Sequence, residues 1–522
     1  MRKLLGIVIL CIIASSAMAV PARRDGILRT TADGTEIMVF QHGDECFHYM
    51  TDAEGNWLDE ETLLPMTEEI KNSKLKIQNE APSGRAKARR VKEETGTDRL
   101  LSPRGAVILV SYSDVDFSST NEEMTEWAMG ANYTDNGATG SIHKYFIDQS
   151  WGQYDLQIDV YGPVKVSKTL SYYGSNDYSG DDKHADELVV EACKLAHDSC
   201  GADFSRYDFD NDGKVDWVVV LYAGYGEASG APANTIWPHQ YELSYTGKSF
   251  KLDGKTVDHY CCLNELTGTT GKKRDGIGTF CHEFSHVMGL PDFYATDNST
   301  HHTLCDWDIM DYGPYLNNGN TPPAYSAYER WFMGWFQPRL INQKCSVVLP
   351  ELQSSAGACY MTEDGDAIEN ILRPSPTTFY LFENRQQTGW DKYLPGAGML
   401  ITKVRWSSTR WSQNTVNNNA NSMGVDIMEA KTNNTSGYST QSKATDLYPA
   451  GAYEFTKIAN YQVTSISMAK KIVEFDVNGG GKEVNMDVEN VQGDIQSTKV
   501  LRDGQVLIIR NGVVYDLTGR RL

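Results

Sequence analysis

Cysteine is sparse and unpatterned in this chain. Ten occur in 522 residues, nine if Cys11 departs with a leader, and an odd count without regular spacing argues against a dense disulfide framework. Cys345 and Cys359 are close enough in sequence to bridge a hairpin, and buried free thiols fit them equally well. The adjacent Cys261 and Cys262 have no CxxC partner, which argues against a structural thiolate zinc site. Positive charge is also short: 48 Lys and Arg stand against 69 Asp and Glu, a net charge of −21. That balance argues against nucleic acid or an anionic membrane as partner. The one long apolar run lies at the start, so no membrane span is expected in the mature chain.

What the chain does have is a metal-binding pattern. Residues 279–292 read Thr-Phe-Cys-His-Glu-Phe-Ser-His-Val-Met-Gly-Leu-Pro-Asp. Residues four apart share a helix face, so His282 and His286 can turn their imidazoles toward one ion. Glu283 is placed to act as general base on a water at the ion's open position. Phe280, Phe284 and Val287 follow helical spacing and bury the opposite face. Gly289 lets the backbone leave the helix through a positive-φ turn, Pro291 discourages further helix, and Asp292 returns toward the metal as third ligand. Glu329 and Asp297 are the other carboxylates within reach of that role. Downstream, residues 305–313 look like a Met-turn, in which Met310 floors the site and Tyr312 can hydrogen-bond the metal water or the developing oxyanion.

Four segments carry a resemblance to a known family: Gly-Ser-Ile-His-Lys-Tyr-Phe-Ile-Asp-Gln-Ser (140–150), Asp-Val-Tyr-Gly-Pro-Val (159–164), His-Glu-Phe-Ser-His-Val-Met-Gly-Leu-Pro-Asp (282–292) and Phe-Glu-Asn-Arg-Gln-Gln (382–387). Over roughly residues 104–475 the chain resembles the immune inhibitor A family of secreted bacterial metallopeptidases. The resemblance implies a zincin catalytic domain, zinc and calcium binding, and synthesis as a precursor. Two departures stand out, Phe293-Tyr294 after the third-ligand aspartate and Asp311 after the Met-turn methionine. Neither removes a catalytic group.

The N-terminal region fits export. Arg2 and Lys3, an apolar run over 4–14 and Ala17-Met18-Ala19 make a signal peptide over 1–19. A lipoprotein reading of Cys11 is disfavoured by the bulk of Leu10 before it. Residues 20–80 alternate as a small strand-rich unit, and the basic stretch 85–90 offers a cut site to a trypsin-like enzyme. With the family resemblance this is a propeptide and linker over 20–103; a plain linker is the simpler alternative. Cys46 could supply a thiolate to the zinc, or be merely buried in its strand.

Inside the expected catalytic domain, 104–345, residues 106–112 and 217–222 read as buried strands and 186–196 as an amphipathic helix. Between the helix and the second strand, Asp208, Asp210, Asp212, Lys214 and Asp216 occupy positions 1, 3, 5, 7 and 9 of an EF-hand-like calcium loop, with Gly213 at position 6. Val219 stands where position 12 wants a bidentate glutamate, and a solvated acidic turn is the plain alternative. Short alternating strands over 346–478 suggest a β-sandwich without readable chemistry. Gly479-Gly480-Gly481 opens a linker, and 499–522 reads as strand, turn, strand, looking like the end of a Bacteroidetes C-terminal sorting domain or a plain terminal hairpin.

The expected fold is α+β: a zincin, metzincin-like catalytic domain with a mixed sheet and an active-site helix, followed by a β-sandwich. The expected function is a secreted, extracellular zinc endopeptidase, with the cell surface as a further location, acting on protein or peptide substrates. Zn²⁺ is the expected catalytic ion and Ca²⁺ a structural one. A non-catalytic adhesion protein retaining the zincin shape is the alternative from another class.

Overall fold

The computed structural model describes residues 18–31, 34–45, 47–60, 62–80, 102–177, 180–297, 299–431, 441–486, 497–502, 505–510 and 513–515, with backbone alone for 76–80 and everything after 486. Cys46 and the basic stretch 85–90 lie outside the described residues.

A six-stranded mixed sheet carries the site. Its strands are β1 Met18–Ala19, β2 Arg104–Ser111, β3 Gln157–Lys165, β4 Val218–Tyr225, β5 His239–Glu242 and β6 His259–Leu266, in the order β1-β5-β6-β4-β2-β3. Strands β3, β2, β4 and β6 run parallel, and β5 lies antiparallel on β6. The run Val-Val-Val-Leu in β4 is apolar throughout because both faces of this strand are covered. Helices α1 Asn121–Met129, α2 Ile142–Gln149 and α3 Ala185–Cys200 pack around the sheet, and α4 Gly278–Val287 carries the histidine motif. The helix read over 186–196 and the strands read over 106–112 and 217–222 are present, each shifted by a few residues at its ends.

All ten residues of α4 are buried, so it is not an ordinary amphipathic surface helix. Phe280 and Phe284 meet the edge of Trp217, the latter with ring centroids 5.0 Å apart, and Phe284 also meets Phe146 at 5.2 Å. Truncating such a residue costs about 3–5 kcal/mol. Gly278 opens the helix because a Cβ there would stand 2.0 Å from the Pro314 carbonyl oxygen.

The N-terminal unit is a four-stranded sheet over Ile27–Thr30, Glu36–Asp44, Phe47–Thr51 and Trp57–Leu58, followed by a helix over Glu68–Glu80. Beyond the catalytic region lie two five-stranded sheets. One joins Arg339–Leu340, Ala358–Thr362, Thr378–Arg385, Gly398–Arg405 and Val425–Ile427; the other joins Phe455–Ile458, Tyr461–Ala469, Ile472–Val477, Cys345–Leu349 and Glu483–Asn485. Successive side chains in the first sheet point to opposite faces. Phe379, Leu381, Leu400 and Val404 therefore join the core of the six-stranded sheet, while Tyr380, Phe382, Met399 and Ile401 pack toward the second sheet with Phe455, Val463 and Phe475. Cys345 and Cys359 are free, buried thiols in that second core. The terminal segment forms a three-stranded antiparallel meander, Ser497–Arg502, Gln505–Arg510 and Val513–Tyr515. Among the described residues no helix is long and apolar enough to cross a membrane.

Candidate metal centre and cleft

The α4 spacing brings His282 and His286 together, and the turn after the helix delivers Asp292. Gly289 has φ 102°, as its place after the helix requires, and a side chain there would be strained. His282 Nδ1 donates to the Ile309 carbonyl at 2.7 Å, and His286 Nδ1 to the Leu290 carbonyl at 2.7 Å. Each imidazole then presents the lone pair of Nε2. The two Nε2 atoms are 3.1 Å apart, and each lies 3.2 Å from Asp292 Oδ1.

Three buried electron pairs therefore converge with no donor between them: Asp292 Oδ1 has no hydrogen-bond donor, and all three residues are at most 1% exposed. A divalent cation satisfies all three at once. The spacing matches the edge, roughly 3.3 Å, of a tetrahedron with zinc-to-ligand arms near 2.0–2.1 Å. The donor set thus fits zinc. Burial pushes the Asp292 carboxyl upward, but the facing imidazoles outweigh it and hold the group well below the usual carboxylate range.

The other carboxylates weighed for third ligand lie elsewhere. Glu329 caps the helix Ala327–Phe332 through Ser326 and faces buried Asp308, and Asp297 accepts from the Ser299 amide. Met310 is fully buried, and its carbonyl accepts from the Phe293 amide at 2.8 Å. The tie from this turn to the metal centre is thus the Ile309 carbonyl on His282 together with the turn's hold on residue 293.

Glu283 is fully buried beside the triad. Its Oε1 accepts the Val20 amide at 2.7 Å, and its Oε2 has no hydrogen-bond partner among the described residues. Burial and then the charge of Asp292 push its carboxyl well above the usual range. The donor is unexpected, because Val20 belongs to the N-terminal segment. Strand β1 pairs antiparallel with the edge strand β5, Met18 opposite Gln240 and Ala19 opposite His239. The Tyr294 hydroxyl donates to the Ala19 carbonyl at 2.8 Å, Trp237 Nε1 to the Val20 carbonyl at 3.0 Å, and the Tyr315 hydroxyl to the Pro21 carbonyl at 2.5 Å. An extended peptide thus lies along the sheet edge across the metal centre. Tyr312 packs against this same segment, with the Arg24 guanidinium 3.1 Å from its ring centroid.

The N-terminal unit has a second anchor on the cleft wall. His48 Nε2 lies 3.0 Å from Glu227 Oε1 and 3.7 Å from Glu60 Oε2, and its ring stacks on Trp237 at 4.9 Å. Burial disfavours the imidazolium, but the charge and hydrogen bond of Glu227 outweigh it and raise His48 to about 9.

Two sets of site residues were missed in the sequence. Asn414 holds the third carboxylate: its Oδ1 accepts the Asp292 amide at 2.7 Å and its Nδ2 donates to Asp292 Oδ2 at 2.5 Å. Asn417 and Asn418 bind Phe293 O and Thr296 in the same way. The segment 382–387, familiar but without readable chemistry, has a job as well. Arg385 pairs with Asp391 and Glu383 and donates to the Trp307 and Ala324 carbonyls, while Glu383 accepts the Ala327 amide at 2.6 Å. The first C-terminal sheet is thereby bolted to the turn behind the histidines. The stretch 346–478, without readable chemistry in the sequence, thus supplies Asn414 to Asp292.

In the acidic loop, Asp208, Asp210 and Asp212 bring one oxygen each within 4.8 Å of the others, and Gly213 has φ 86°. Lys255 Nζ already sits 2.6 Å from Asp208 Oδ2. Asp216 turns Oδ2 to the Phe209 amide at 2.7 Å, and Lys214 Nζ points to Asp258 at 3.8 Å.

With this geometry in view, residues 112–340 match the family model described as the immune inhibitor A peptidase M6 catalytic domain. A pre-pro-metalloprotease PrtV of Vibrio cholerae is 28% identical over 232 residues, covering 38% of this chain and 25% of that protein. An immune inhibitor A of Bacillus thuringiensis is 26% identical over 298 residues, covering 49% of this chain and 42% of that protein. The chain spans less than half the length of these curated relatives. The matched stretch contains the histidine motif, the residue 308–312 turn and the acidic loop, and ends before Asn414 and Arg385.

Proposed function

We propose, from the kinship of residues 112–340 with the immune inhibitor A peptidase catalytic domain, that this chain is a secreted zinc endopeptidase made as a precursor and acting on extracellular proteins. The observation that carries the reading is the convergence of two imidazole lone pairs and one carboxylate oxygen, 3.1–3.2 Å apart in a dry site. His282, His286 and Asp292 would hold the ion. Bound there, zinc supplies Lewis acidity to a water and to the scissile carbonyl.

Glu283 then takes the water's proton and delivers it to the leaving nitrogen. In support, its Oε1 already stands 2.7 Å from a backbone nitrogen, the kind of atom that must receive that proton. A substrate lies as β1 does, added antiparallel to β5, with Tyr294, Trp237 and Tyr315 gripping successive carbonyls whatever its side chains. Tyr312 steadies the oxyanion once Arg24 has left its ring.

Latency follows from the same contacts. Residues 18–24 fill the cleft before the leader is cut and residues 20–24 afterwards, so substrate cannot enter until they leave. With a leader cut after Ala19, the Val20 nitrogen becomes an α-amine facing Glu283, which strengthens the block. Cutting in 85–90 removes the covalent tie of this unit to the catalytic domain. The two C-terminal five-stranded sheets form a β-sandwich whose shared core supports that arrangement. The acidic loop takes calcium as a structural ion, and the terminal meander serves in export.

The Glu283→Ala variant tests the reading. Zinc content should stay at one ion per chain while casein digestion falls by about 10²–10⁴-fold. Retained turnover in that variant would refute it. N-terminal sequencing of the secreted protein reports leader and propeptide removal together.

A further inference from the structure

Three carbonyl grips, on Ala19, Val20 and Pro21, read the peptide backbone and are blind to side chains. Selectivity toward side chains begins three residues beyond Val20, with two consecutive arginines. Arg23 Nη1 donates to Thr267 Oγ1 at 2.8 Å, and its guanidinium lies 5.4 Å from the Tyr315 ring. Its charge also faces Asp275, whose carboxyl is raised by burial and lowered in turn by Arg23. Arg24 lies over Tyr312 and donates to Cys305 Sγ at 3.8 Å. Asp311, fully buried behind it, keeps Oδ1 without a hydrogen-bond partner, and half-buried Asp306 completes the acidic side. Arg23 also pairs with Asp25 of its own segment at 3.0 Å; from the cleft, each arginine meets a tyrosine face and the field of a carboxylate, the combination that suits a planar, weakly hydrated cation. When the segment departs, half-buried Asp275 loses Arg23 and buried Asp311 loses Arg24 and keeps only His302, and a carboxylate held away from water with fewer cations about it is costly. A basic substrate restores them.

We propose that the cleft has two arginine-binding subsites, Thr267/Asp275/Tyr315 and Cys305/Asp311/Tyr312, which select substrates carrying basic residues four and five positions C-terminal to the scissile bond, counting the residue after that bond as one. The inference rests on the peptidase reading, in which the bond before Val20 occupies the place of the scissile one. The N-terminal segment then blocks the cleft by presenting the side chains the enzyme prefers. The net charge of −21 favours the approach of such basic substrates.

Two measurements test it, both on protein cut by trypsin in the 85–90 stretch and freed of its N-terminal unit. The first compares quenched peptides of sequence Ala-Val-Pro-Ala-Arg-Arg-Asp and Ala-Val-Pro-Ala-Ala-Ala-Asp. The arginine peptide should show kcat/KM at least about ten-fold higher, mainly through KM, as hydrogen bonds to a charged group provide. In Asp275→Asn and Asp311→Asn that ratio, in which any loss common to both peptides cancels, should shrink toward one. Equal kcat/KM for the two peptides in the native protein overturns the proposal. The second needs neither turnover nor the aspartate variants: fluorescence anisotropy with Glu283→Gln, in which labelled Val-Pro-Ala-Arg-Arg-Asp should bind at least ten-fold tighter than its alanine counterpart. Equal binding overturns the subsites. Preferential binding without cleavage by the native protein upholds the subsites and overturns the peptidase reading.

Discussion

Asn414→Ala removes two hydrogen bonds from one aspartate without touching a metal ligand. The Nδ2 bond to Asp292 Oδ2, 2.5 Å long, is charge-assisted and contributes about 1.5–3 kcal/mol; the Oδ1 bond from the Asp292 amide, 2.7 Å long, contributes about 0.5–1.5 kcal/mol. Part of that loss is recovered, because alanine leaves room for water. Outer-shell partners of metal ligands typically carry about 10–100-fold in metal affinity, equivalent to about 1.4–2.7 kcal/mol, less than the hydrogen-bond sum of about 2–4.5 kcal/mol by the part that water recovers. The expected result is a zinc dissociation constant raised 10- to 100-fold, measured by competition with a chromophoric chelator, with the far-ultraviolet spectrum unchanged. Asn414→Asp should be worse, since it sets a second carboxylate against Asp292 in a dry site. Zinc affinity unchanged in Asn414→Ala would mean that the carboxylate needs no orienting partner, and the account of the third ligand would fail.

Other outcomes follow from the electrostatics. His48, raised from 6.5 to about 9, contributes docking stability that is complete below pH 6.5 and disappears as pH rises through 9, about 3 kcal/mol in all. The full chain should then become open to trypsin within the 20–80 unit at alkaline pH, and His48→Gln should abolish that pH dependence; a transition surviving in the variant refutes the assignment. Arg385→Leu leaves Asp391 and Glu383 buried without their cation, a loss of about 3–5 kcal/mol. Its melting temperature should fall by several degrees, and an unchanged value would show that the network carries no stability. Calcium at 100 times its dissociation constant should stabilise the protein by about 2.7 kcal/mol. Lys255→Met should tighten that binding by removing the competing ammonium, whereas thermal curves insensitive to calcium in both proteins would leave the acidic loop a solvated turn.

The histidine motif was legible because its parts are local. One helix and one turn fix His282, Glu283, His286 and Asp292 relative to one another, and the positive-φ glycine and the proline are punctuation that a linear reading can weigh. Asp297 and Glu329 could not be separated from Asp292 by spacing alone, since loop paths decide where a carboxylate points. Asn414 was invisible for a different reason: it meets Asp292 across 122 positions, and no local pattern distinguishes it from its neighbouring asparagines. Arg385 was seen as part of a familiar segment, but its role needs both the first C-terminal sheet and the turn at 307 in place. The strands of that sheet were legible because residues such as Phe379 and Tyr380 face two different cores, which makes the run apolar. Tyr312 was placed by its distance from Met310, and only tertiary structure shows it covered by Arg24. Residues 18–19 read as the close of a leader because two residues carry no periodicity. They become a strand only where β5 offers its unpaired edge.

That edge has a consequence for how the molecule is made. While residues 18–19 cover it, the amides and carbonyls of β5 are matched within the chain; uncovered, they form a template on which any extended polypeptide can stack, including a second copy. A folding chain is most exposed to such mispairing before its sheet is complete. Residues 18–19 close the proposed leader, so a cut after Ala19 bares this edge while residues 20–24 keep their contacts in the cleft; the strand guards β5 only while the leader is attached.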